Sequence, residues 1–177
     1  MREAARLFDE KGYEQTTVDE IVARADVAKG TFFNYFARKD ALLSHVLDRR
    51  LRFAESVTAE LLSVATSVAD KLLAIYSEAA SAWEEDRAFS KHVLAGLGPG
   101  GHPAGERSAR WRAQVQHAIR LGQKSGELRA GASPERAEAV LTAVYHDTLS
   151  RWAAGEVIEL QDHLLAQLML VLEGLAE

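Results

Sequence analysis

Residues 28–52 hold the side chains of this sequence that are best suited to contact a polyanion. The stretch has six Lys or Arg residues against two Asp residues. Lys29 and Lys39 can each reach a phosphate oxygen. Gly30 and Thr31 are slender enough for a helix that carries them to enter a nucleic-acid groove about 12 Å wide. The chemistry that these residues offer is hydrogen bonding and charge pairing with phosphates and base edges.

The charge of the whole chain supports that interpretation only when its distribution is considered. The net charge of −5 over 177 residues, taken alone, argues against a nucleic acid as a partner. Residues 1–52, however, carry ten basic and nine acidic side chains, whereas residues 53–177 carry eleven and seventeen. Any contact with a polyanion therefore belongs to the N-terminal part of the chain.

The sequence has no pattern of catalytic or metal-ligating residues. It lacks cysteine, which excludes disulfides and thiolate metal sites and favours a reducing cytoplasm. Its six histidines are scattered, and neither a Gly-rich phosphate loop nor a Ser/His/Asp arrangement is visible. No apolar run reaches the roughly 18 residues of a membrane span, and no signal-peptide pattern is visible. We therefore expect a cytoplasmic protein with no enzymatic activity, no cofactor, no metal and no membrane partner.

Two short helices joined by a tight turn must position the basic and slender residues. Thr17 and Glu20 are spaced as a capping box, in which each side chain bonds to the backbone N–H of the other residue. The helix that begins there is expected to end near Asp26, which adopts a left-handed conformation more easily than most residues. Val27 is expected to plug the turn.

The second short helix is expected over residues 28–36, with Phe32 and Phe36 on its inner face. Its small and polar residues then lie outside, which matches the geometry of a helix-turn-helix that enters a major groove. The alternative is that the pattern reflects ordinary core packing without a role in binding.

Residues 5–43 hold a recognisable set of apolar, small and aromatic positions. The set is Ala5, Leu7, Phe8, Gly12, Thr17, Ile21, Ala25, Val27, Gly30, Thr31, Phe32, Tyr35, Phe36, Lys39, Leu42 and Leu43. It resembles the N-terminal helix-turn-helix of the TetR family of transcriptional regulators. The resemblance implies an all-α fold, with a three-helix DNA-binding domain at 1–46 and a helical effector-binding and dimerisation domain at 47–177.

The resemblance also implies which residues contact double-stranded operator DNA. The phosphate backbone would be contacted by Thr16, Thr17, Phe33, Tyr35 and Lys39. The bases would be faced by Lys29, Gly30, Thr31 and Asn34. The alternatives are that Lys39 is merely a solvated first-turn residue and that Tyr35 faces the core. The sequence departs from the family at Asp26, where Gly is usual, at Phe33, where Tyr is frequent, and in beginning without the basic arm of many relatives.

The C-terminal part is expected to be helical throughout, because alternating strand patterns are absent. Helices are expected at about 39–65, 69–85, 87–95, 105–125, 135–153 and 157–175. Ser133, just before Pro134, is expected to cap the N-terminus of the helix at about 135–153, and Gly155 is expected to end that helix. The last helix is apolar on more than one face, which predicts that its second face packs against another subunit; the alternative is a central core helix of a monomer.

The family resemblance further implies a small-molecule effector, which we expect to be largely apolar, and a homodimer formed by the last two helices. Candidate lining residues are aromatic or lie on inward faces: Tyr76, Trp83, Phe89, His92, Trp111, Val115, Tyr145 and Trp152. Their alternative role is plain core packing. The Gly- and Pro-rich segment 96–105 is expected to be a loop that either gates the pocket or simply connects two helices.

These observations predict a ligand-responsive repressor that binds a palindromic operator as a homodimer and is released by a small molecule. One alternative is an all-helical interaction or small-molecule-binding protein that has lost DNA binding. Another is an enzyme whose site lies in the C-terminal bundle, which convergent titratable groups in a cavity would favour.

Overall fold

The structure is a computed structural model that describes residues 1–64, 66–84, 87–97 and 106–176, with the backbone alone at 88, 89, 96 and 97. Within these ranges the chain forms nine α-helices and no β-sheet, which confirms the predicted all-α class. The helices are α1 (Arg2–Lys11), α2 (Val18–Arg24), α3 (Lys29–Tyr35), α4 (Asp40–Leu62), α5 (Val68–Glu84), α6 (Arg87–Leu97), α7 (Glu106–Ser125), α8 (Pro134–Ala154) and α9 (Leu160–Leu175). None of the helices in these ranges is long and apolar enough to cross a membrane.

Helix α2 begins and ends as its local sequence predicts. The Glu20 N–H donates to the Thr17 hydroxyl at 3.3 Å, and the Thr17 N–H donates to the Glu20 carboxylate at 2.8 Å, which completes the capping box. Asp26 adopts a φ of +50° after the helix. Val27 does not plug the turn as predicted, because its side chain is exposed. The backbone closes the turn instead, through the Val27 N–H, which donates to the Val22 carbonyl at 3.0 Å.

Helix α4 connects the helix-turn-helix to the C-terminal bundle. Its buried residues recur at every fourth position: Leu42, Val46, Arg50, Ala54 and Thr58. Helices α5, α6 and α7 all pack against α4. At 1.5 Å per residue, its 23 residues span about 35 Å. The predicted domain boundary after residue 46 falls inside this continuous helix, and the division of the chain there stays a prediction.

The C-terminal core lies among α4, α5, α7, α8 and α9, which pack against one another in several pairs. Its fully buried side chains include Leu72, Ile75, Ile119, Leu141, Leu149, Leu160 and Leu164. Helix α6 lies at the edge of this bundle and contacts both α8 and α1. The helix-turn-helix part of the chain is therefore joined to the bundle through two elements, the continuous helix α4 and the contact between α1 and α6.

Helix α8 has both predicted end signals. The Ser133 hydroxyl accepts a hydrogen bond from the Arg136 N–H at 3.3 Å, and Pro134 is the first helical residue. Gly155 ends the helix in the left-handed conformation, with a φ of +84°. Helix α9 begins at Leu160 and not at residue 157 as predicted, because the turn that follows Gly155 continues to that point.

The two faces of α9 differ in burial. Leu160, Leu164, Leu168 and Leu172 lie four residues apart and are buried against the bundle. The outer face exposes Met169 and Leu170, and the neighbouring face of α8 exposes Val140. A groove of about 450 Å³ lies between these two outer faces. The exposed apolar surface is the one that the sequence pattern assigns to a second subunit.

Candidate functional site

Helix α3 presents nearly all of its side chains to solvent. Over residues 28–35, Phe32 is the one buried side chain. It belongs to the hydrophobic core that holds α1 and α2. Tyr35 is 79% exposed, and the space within 4 Å of a Cβ placed on Gly30 is open. The helix therefore projects as a slender ridge of the kind that fits a major groove.

The four residues predicted to face bases, Lys29, Gly30, Thr31 and Asn34, are all exposed. Lys29 forms an ion pair with Asp19 of α2, with 2.6 Å between Nζ and Oδ1, and both side chains are more than half exposed. An exposed pair of this kind contributes little to stability. Lys29 can therefore exchange Asp19 for a DNA oxygen at small cost.

Thr16, which is predicted to contact phosphate, faces the protein interior. Its side chain is 2% exposed, and its hydroxyl donates to the carbonyl oxygens of Gly12 at 2.8 Å and Leu7 at 3.2 Å. This hydroxyl therefore closes the end of α1 and is not available to a phosphate in this conformation. Thr17 and Phe33, in contrast, are exposed.

Lys39 joins the turn between α1 and α2 to the start of α4. Its ammonium donates to the carbonyl oxygens of Tyr13 at 2.5 Å, Thr16 at 3.0 Å and Glu14 at 3.3 Å. It also lies 4.2 Å from the centroid of the Tyr13 ring. Since an ammonium has three donors, these bonds use all of them. The structure thus gives Lys39 a positioning role, and its contact with phosphate stays a prediction.

We expect Lys39→Met to lower the free energy of unfolding by about 1–3 kcal/mol, because three carbonyl oxygens lose a charged donor. Lys29→Met is the matched control, since its partner is an exposed carboxylate. It should leave stability unchanged and reduce the slope of log affinity against log salt by about one. Urea unfolding and DNA titrations at several salt concentrations measure both effects. Unaltered stability of Lys39→Met would contradict the positioning role.

The hydrogen bonds of the capping box should make the stability of the protein depend on pH. The side chains of Lys11 and Thr17 and the Thr17 N–H bond to the Glu20 carboxylate and lower its pKa from the usual 4.5 to about 2. Because the folded-state pKa lies below the unfolded one, this stabilisation is complete above about pH 4.5 and is lost as pH falls toward 2. Glu20→Gln should therefore be less stable than the wild type at pH 6, with a difference that shrinks in that window. Glu14→Gln, at an exposed site in the adjacent turn, is the control. A difference in stability between Glu20→Gln and the wild type that did not change with pH would refute the role given to the Glu20 carboxylate.

A cavity of about 140 Å³ lies inside the C-terminal part, between α4, α5, α7 and α8. Most of its wall is apolar and includes Trp83, Trp111 and Tyr145. Its polar lining residues are Arg50, Ser108, Arg112, Glu138, Thr142 and His146. No three His, Asp or Glu side chains converge as metal ligands in the part of the chain that the structure describes.

Hydrogen bonds hold the aromatic wall in place. The Trp83 indole donates to the Tyr145 hydroxyl at 2.8 Å, and that hydroxyl donates to the Ala79 carbonyl at 3.2 Å. The Trp111 indole donates to the Thr58 hydroxyl at 3.0 Å. Burial raises the pKa of Tyr145, so this phenol stays neutral at physiological pH. The wall is therefore ordered before any ligand binds.

Three of the predicted pocket residues line this cavity, namely Trp83, Trp111 and Tyr145. Tyr76 lies behind the wall, with its ring centroid 5.4 Å from that of Trp111 and 5.6 Å from that of Tyr145. Val115 and Trp152 are buried and do not line it. Their predicted contact with a ligand would therefore require the cavity to enlarge, since in this conformation they pack as core residues.

His92 lies outside the cavity, at the junction of α6 with α1. Its ring centroid is 5.4 Å from that of Phe8, and its Nε2 is 3.3 Å from the Asp9 carboxylate. The predicted side chain of Phe89 lies outside the described residues, as does the loop segment 98–105. The structure thus places His92 at the contact between α1 and α6, outside the cavity.

The polar residues of the wall are not among those that the sequence predicts to line a pocket. Arg50 is among the basic residues predicted to be available to a polyanion, but this side chain is 5% exposed and lines the cavity. The signal was present, since Arg50 lies four residues after Val46 and four before Ala54, in the buried stripe of α4. Glu138 of α8 is also buried, one turn before Thr142, whose hydroxyl donates to it at 2.7 Å.

Comparisons with known proteins agree with this geometry. Residues 1–46 match the family model of the bacterial regulatory proteins of the tetR family. The A-factor receptor protein of Streptomyces griseus is 26% identical over 173 residues, which are 92% of this chain and 59% of that protein. The crystal structure of the TetR-family regulator PfmR from Thermus thermophilus has a TM-score of 0.75 at 22% identity, with 99% of this chain and 97% of that chain covered. The likeness in sequence to the tetR family model thus covers residues 1–46, about a quarter of the chain.

The likeness of fold to these regulators extends over both parts of the chain. The regulator FadR from Bacillus subtilis, crystallised with stearoyl-CoA, has a TM-score of 0.72 at 22% identity, with 99% of this chain and 95% of that chain covered. At this identity the likeness is one of fold. The chain spans 59% of the length of the A-factor receptor protein.

Proposed function

We propose that this protein is a cytoplasmic, ligand-responsive repressor of the TetR family, which binds a palindromic operator as a homodimer. The observation that carries the proposal is the exposure of α3, where Phe32 alone of residues 28–35 is buried. A helix that served only for packing would bury a full stripe of side chains. This helix keeps its small and polar residues outside, on the side where a major groove would approach.

The outer face of α8 and α9 is the proposed dimer interface. Val140, Met169 and Leu170 expose apolar side chains there, beside a groove that a second copy would fill. Packing two such faces together gives a four-helix bundle with two-fold symmetry. The two α3 helices would then enter successive major grooves, with centres about 34 Å apart.

The cavity is the proposed effector site, and α4 is the element that links it to DNA. Arg50, Leu51 and Ala54 of α4 line the cavity. The start of the same helix is fastened to the turn between α1 and α2 by Lys39. A largely apolar effector that shifts α4 would therefore move the helix-turn-helix. The size of this response is limited by the difference in effector affinity between the two conformers.

Selection of bound sequences from a random DNA pool tests the proposal. We expect a palindromic consensus, a salt-sensitive gel shift and one dimer bound per site. If the protein binds no DNA at low salt, the repressor is refuted in favour of the all-helical binding protein that has lost DNA binding, which the overall negative charge favours. A consensus without two-fold symmetry would refute the dimeric arrangement alone.

A further inference from the structure

The aromatic wall of the inner cavity presents rings whose donors are already used. Trp83, Trp111 and Tyr145 line this cavity of about 140 Å³. The single N–H of each indole donates within the protein, from Trp83 to the Tyr145 hydroxyl at 2.8 Å and from Trp111 to the Thr58 hydroxyl at 3.0 Å. The Tyr145 hydroxyl donates its own proton to the Ala79 carbonyl at 3.2 Å. A ligand therefore meets these three side chains chiefly as apolar surfaces.

The volume of the cavity limits a ligand to about one ring. A protein cavity of about 150 Å³ lined by apolar side chains holds benzene. The cavity here has nearly that volume, 140 Å³, and aromatic rings from α5, α7 and α8 form part of its wall. Aromatic side chains favour a planar ligand in edge-to-face or offset contact. We therefore expect a single aromatic ring that carries a small substituent.

Glu138 of α8 is a buried hydrogen-bond acceptor in the same wall. It is 4% exposed and lines the cavity. Thr142 donates to its Oε1 at 2.7 Å, and Gln116 donates to its Oε2 at 3.3 Å. Because the only hydroxyl proton of Thr142 goes to Glu138, the Tyr76 hydroxyl, 3.0 Å from that of Thr142, is the donor of their bond. A carboxylate accepts about four hydrogen bonds, so these contacts leave acceptor sites on Glu138 for a ligand.

The wall disfavours an anionic ligand. A carboxylate would bring a second negative charge beside Glu138 in a largely apolar space. Arg50, the buried cation of the wall, has partners within the protein: its Nη2 donates to the Ser90 hydroxyl at 2.9 Å, and its guanidinium lies 4.6 Å from the centroid of the Trp83 ring. We therefore assign no ligand contact to Arg50.

A neutral donor is also favoured over a cation. An ammonium would lose its hydration in the cavity, and attraction to Glu138 offsets that cost only if the geometry is excellent and further hydrogen bonds form. It would also face Arg112 of α7, which lines the same cavity. A neutral hydroxyl is much less costly to desolvate, and its bond to a carboxylate is about twice as strong as a bond between neutral groups.

We propose that the effector is a compact neutral phenol whose ring occupies the inner cavity and whose hydroxyl donates to Glu138. This inference rests on the proposed function, in which the cavity is the effector site. It goes further by assigning the chemical class of the ligand and the residue that selects it.

Phenol, toluene, benzoate and benzylamine, each titrated against the full chain by isothermal titration calorimetry, test the proposal. Toluene has the ring of phenol and a substituent of similar size but no donor, whereas benzoate and benzylamine carry opposite charges at neutral pH. We expect phenol to bind about tenfold or more tightly than toluene, because the hydroxyl alone donates to the Glu138 carboxylate. Both ions should bind more weakly than phenol. Equal affinities for phenol and toluene, tighter binding of either ion, or no binding of phenol would overturn the proposal without any variant.

Variants of the cavity wall identify the residue. Glu138→Gln removes the charge and one acceptor oxygen with little change in size, so the preference for phenol over toluene should fall to within about threefold. Ala54→Leu places a larger side chain in the wall and should weaken the binding of both ligands. Glu78→Gln, at an exposed carboxylate of α5, is the control and should keep the full preference.

Thermal unfolding without ligand shows which variants are folded. A folded Glu138→Gln protein that keeps the full preference, or a folded Ala54→Leu protein that binds phenol as the wild type does, would overturn the proposal. If neither variant folds, the four ligands titrated against the wild type still decide it.

A parallel gel shift separates this inference from the proposed function. If phenol binds with the expected preference and releases operator DNA, both stand. If it binds with that preference but leaves the DNA complex intact, the ligand class stands and the effector role fails. If no DNA is bound in its absence, the repressor proposal fails, while the calorimetric titration still decides the ligand class.

Discussion

Thr31→Phe is expected to remove sequence-specific DNA binding and to leave the free energy of unfolding unchanged. Thr31 is exposed on α3, so the larger ring extends into solvent and does not disturb the core. In a complex, the same ring would meet the floor or the walls of the major groove and hold the helix away from the bases. Affinity for the selected operator should fall by about 10³-fold, to the level of binding to unrelated DNA. Competition gel shifts and urea unfolding measure the two quantities.

The matched control for this change is Thr66→Phe. Thr66 is also exposed but lies on the turn between α4 and α5, at the opposite end of α4 from α3. Operator affinity should therefore remain within a factor of about two of the wild type, as is usual for a surface substitution away from an interface. If Thr31→Phe kept full operator affinity, α3 would not be the helix that contacts the bases.

The local structure of the helix-turn-helix could be predicted because its signals lie within a few residues of one another. Thr17 and Glu20 cap α2 through contacts three residues apart, and Asp26 takes the left-handed conformation that the helix end requires. The positions of Thr16 and Lys39 could not be predicted in this way. Thr16 bonds to Leu7 of α1, nine residues away, and Lys39 bonds to Tyr13 in the turn between α1 and α2, 26 residues away. Long-range hydrogen bonds leave no local pattern.

The sequence pattern points to aromatic residues of the cavity wall and not to its polar ones. Helical periodicity identifies inward faces, such as those that carry Trp111 and Tyr145 in the cavity wall. It cannot distinguish a residue that lines a void from one that packs behind it, which is the case of Tyr76. Arg50 was assigned to the surface because arginine is rarely buried. Its burial involves Ser90 and the Trp83 ring, which two other helices, α6 and α5, bring to it.

The apolar outer face of α9 leads to the second prediction with a large effect, Leu170→Arg. Leu170 is 69% exposed, so in a single chain the substitution meets water and should leave the fold intact. In the proposed dimer the two-fold axis brings both copies of the substituted residue into the interface. Burying two cations there without partners would cost more than the interface can recover. We therefore expect a monomer at micromolar concentration by light scattering after size-exclusion chromatography.

Operator binding should fall together with dimerisation, because each subunit then has to bind its half-site without a second subunit attached to it. The loss is expected to be about 10²-fold or more, the usual benefit of linking two binding events. Val64→Arg is the control, since Val64 is also an exposed apolar residue but lies after the last residue of α4. It should remain dimeric and bind the operator normally. A Leu170→Arg protein that stays dimeric would place the interface elsewhere, whereas a monomer with full operator affinity would show that α3 recognises DNA without symmetry.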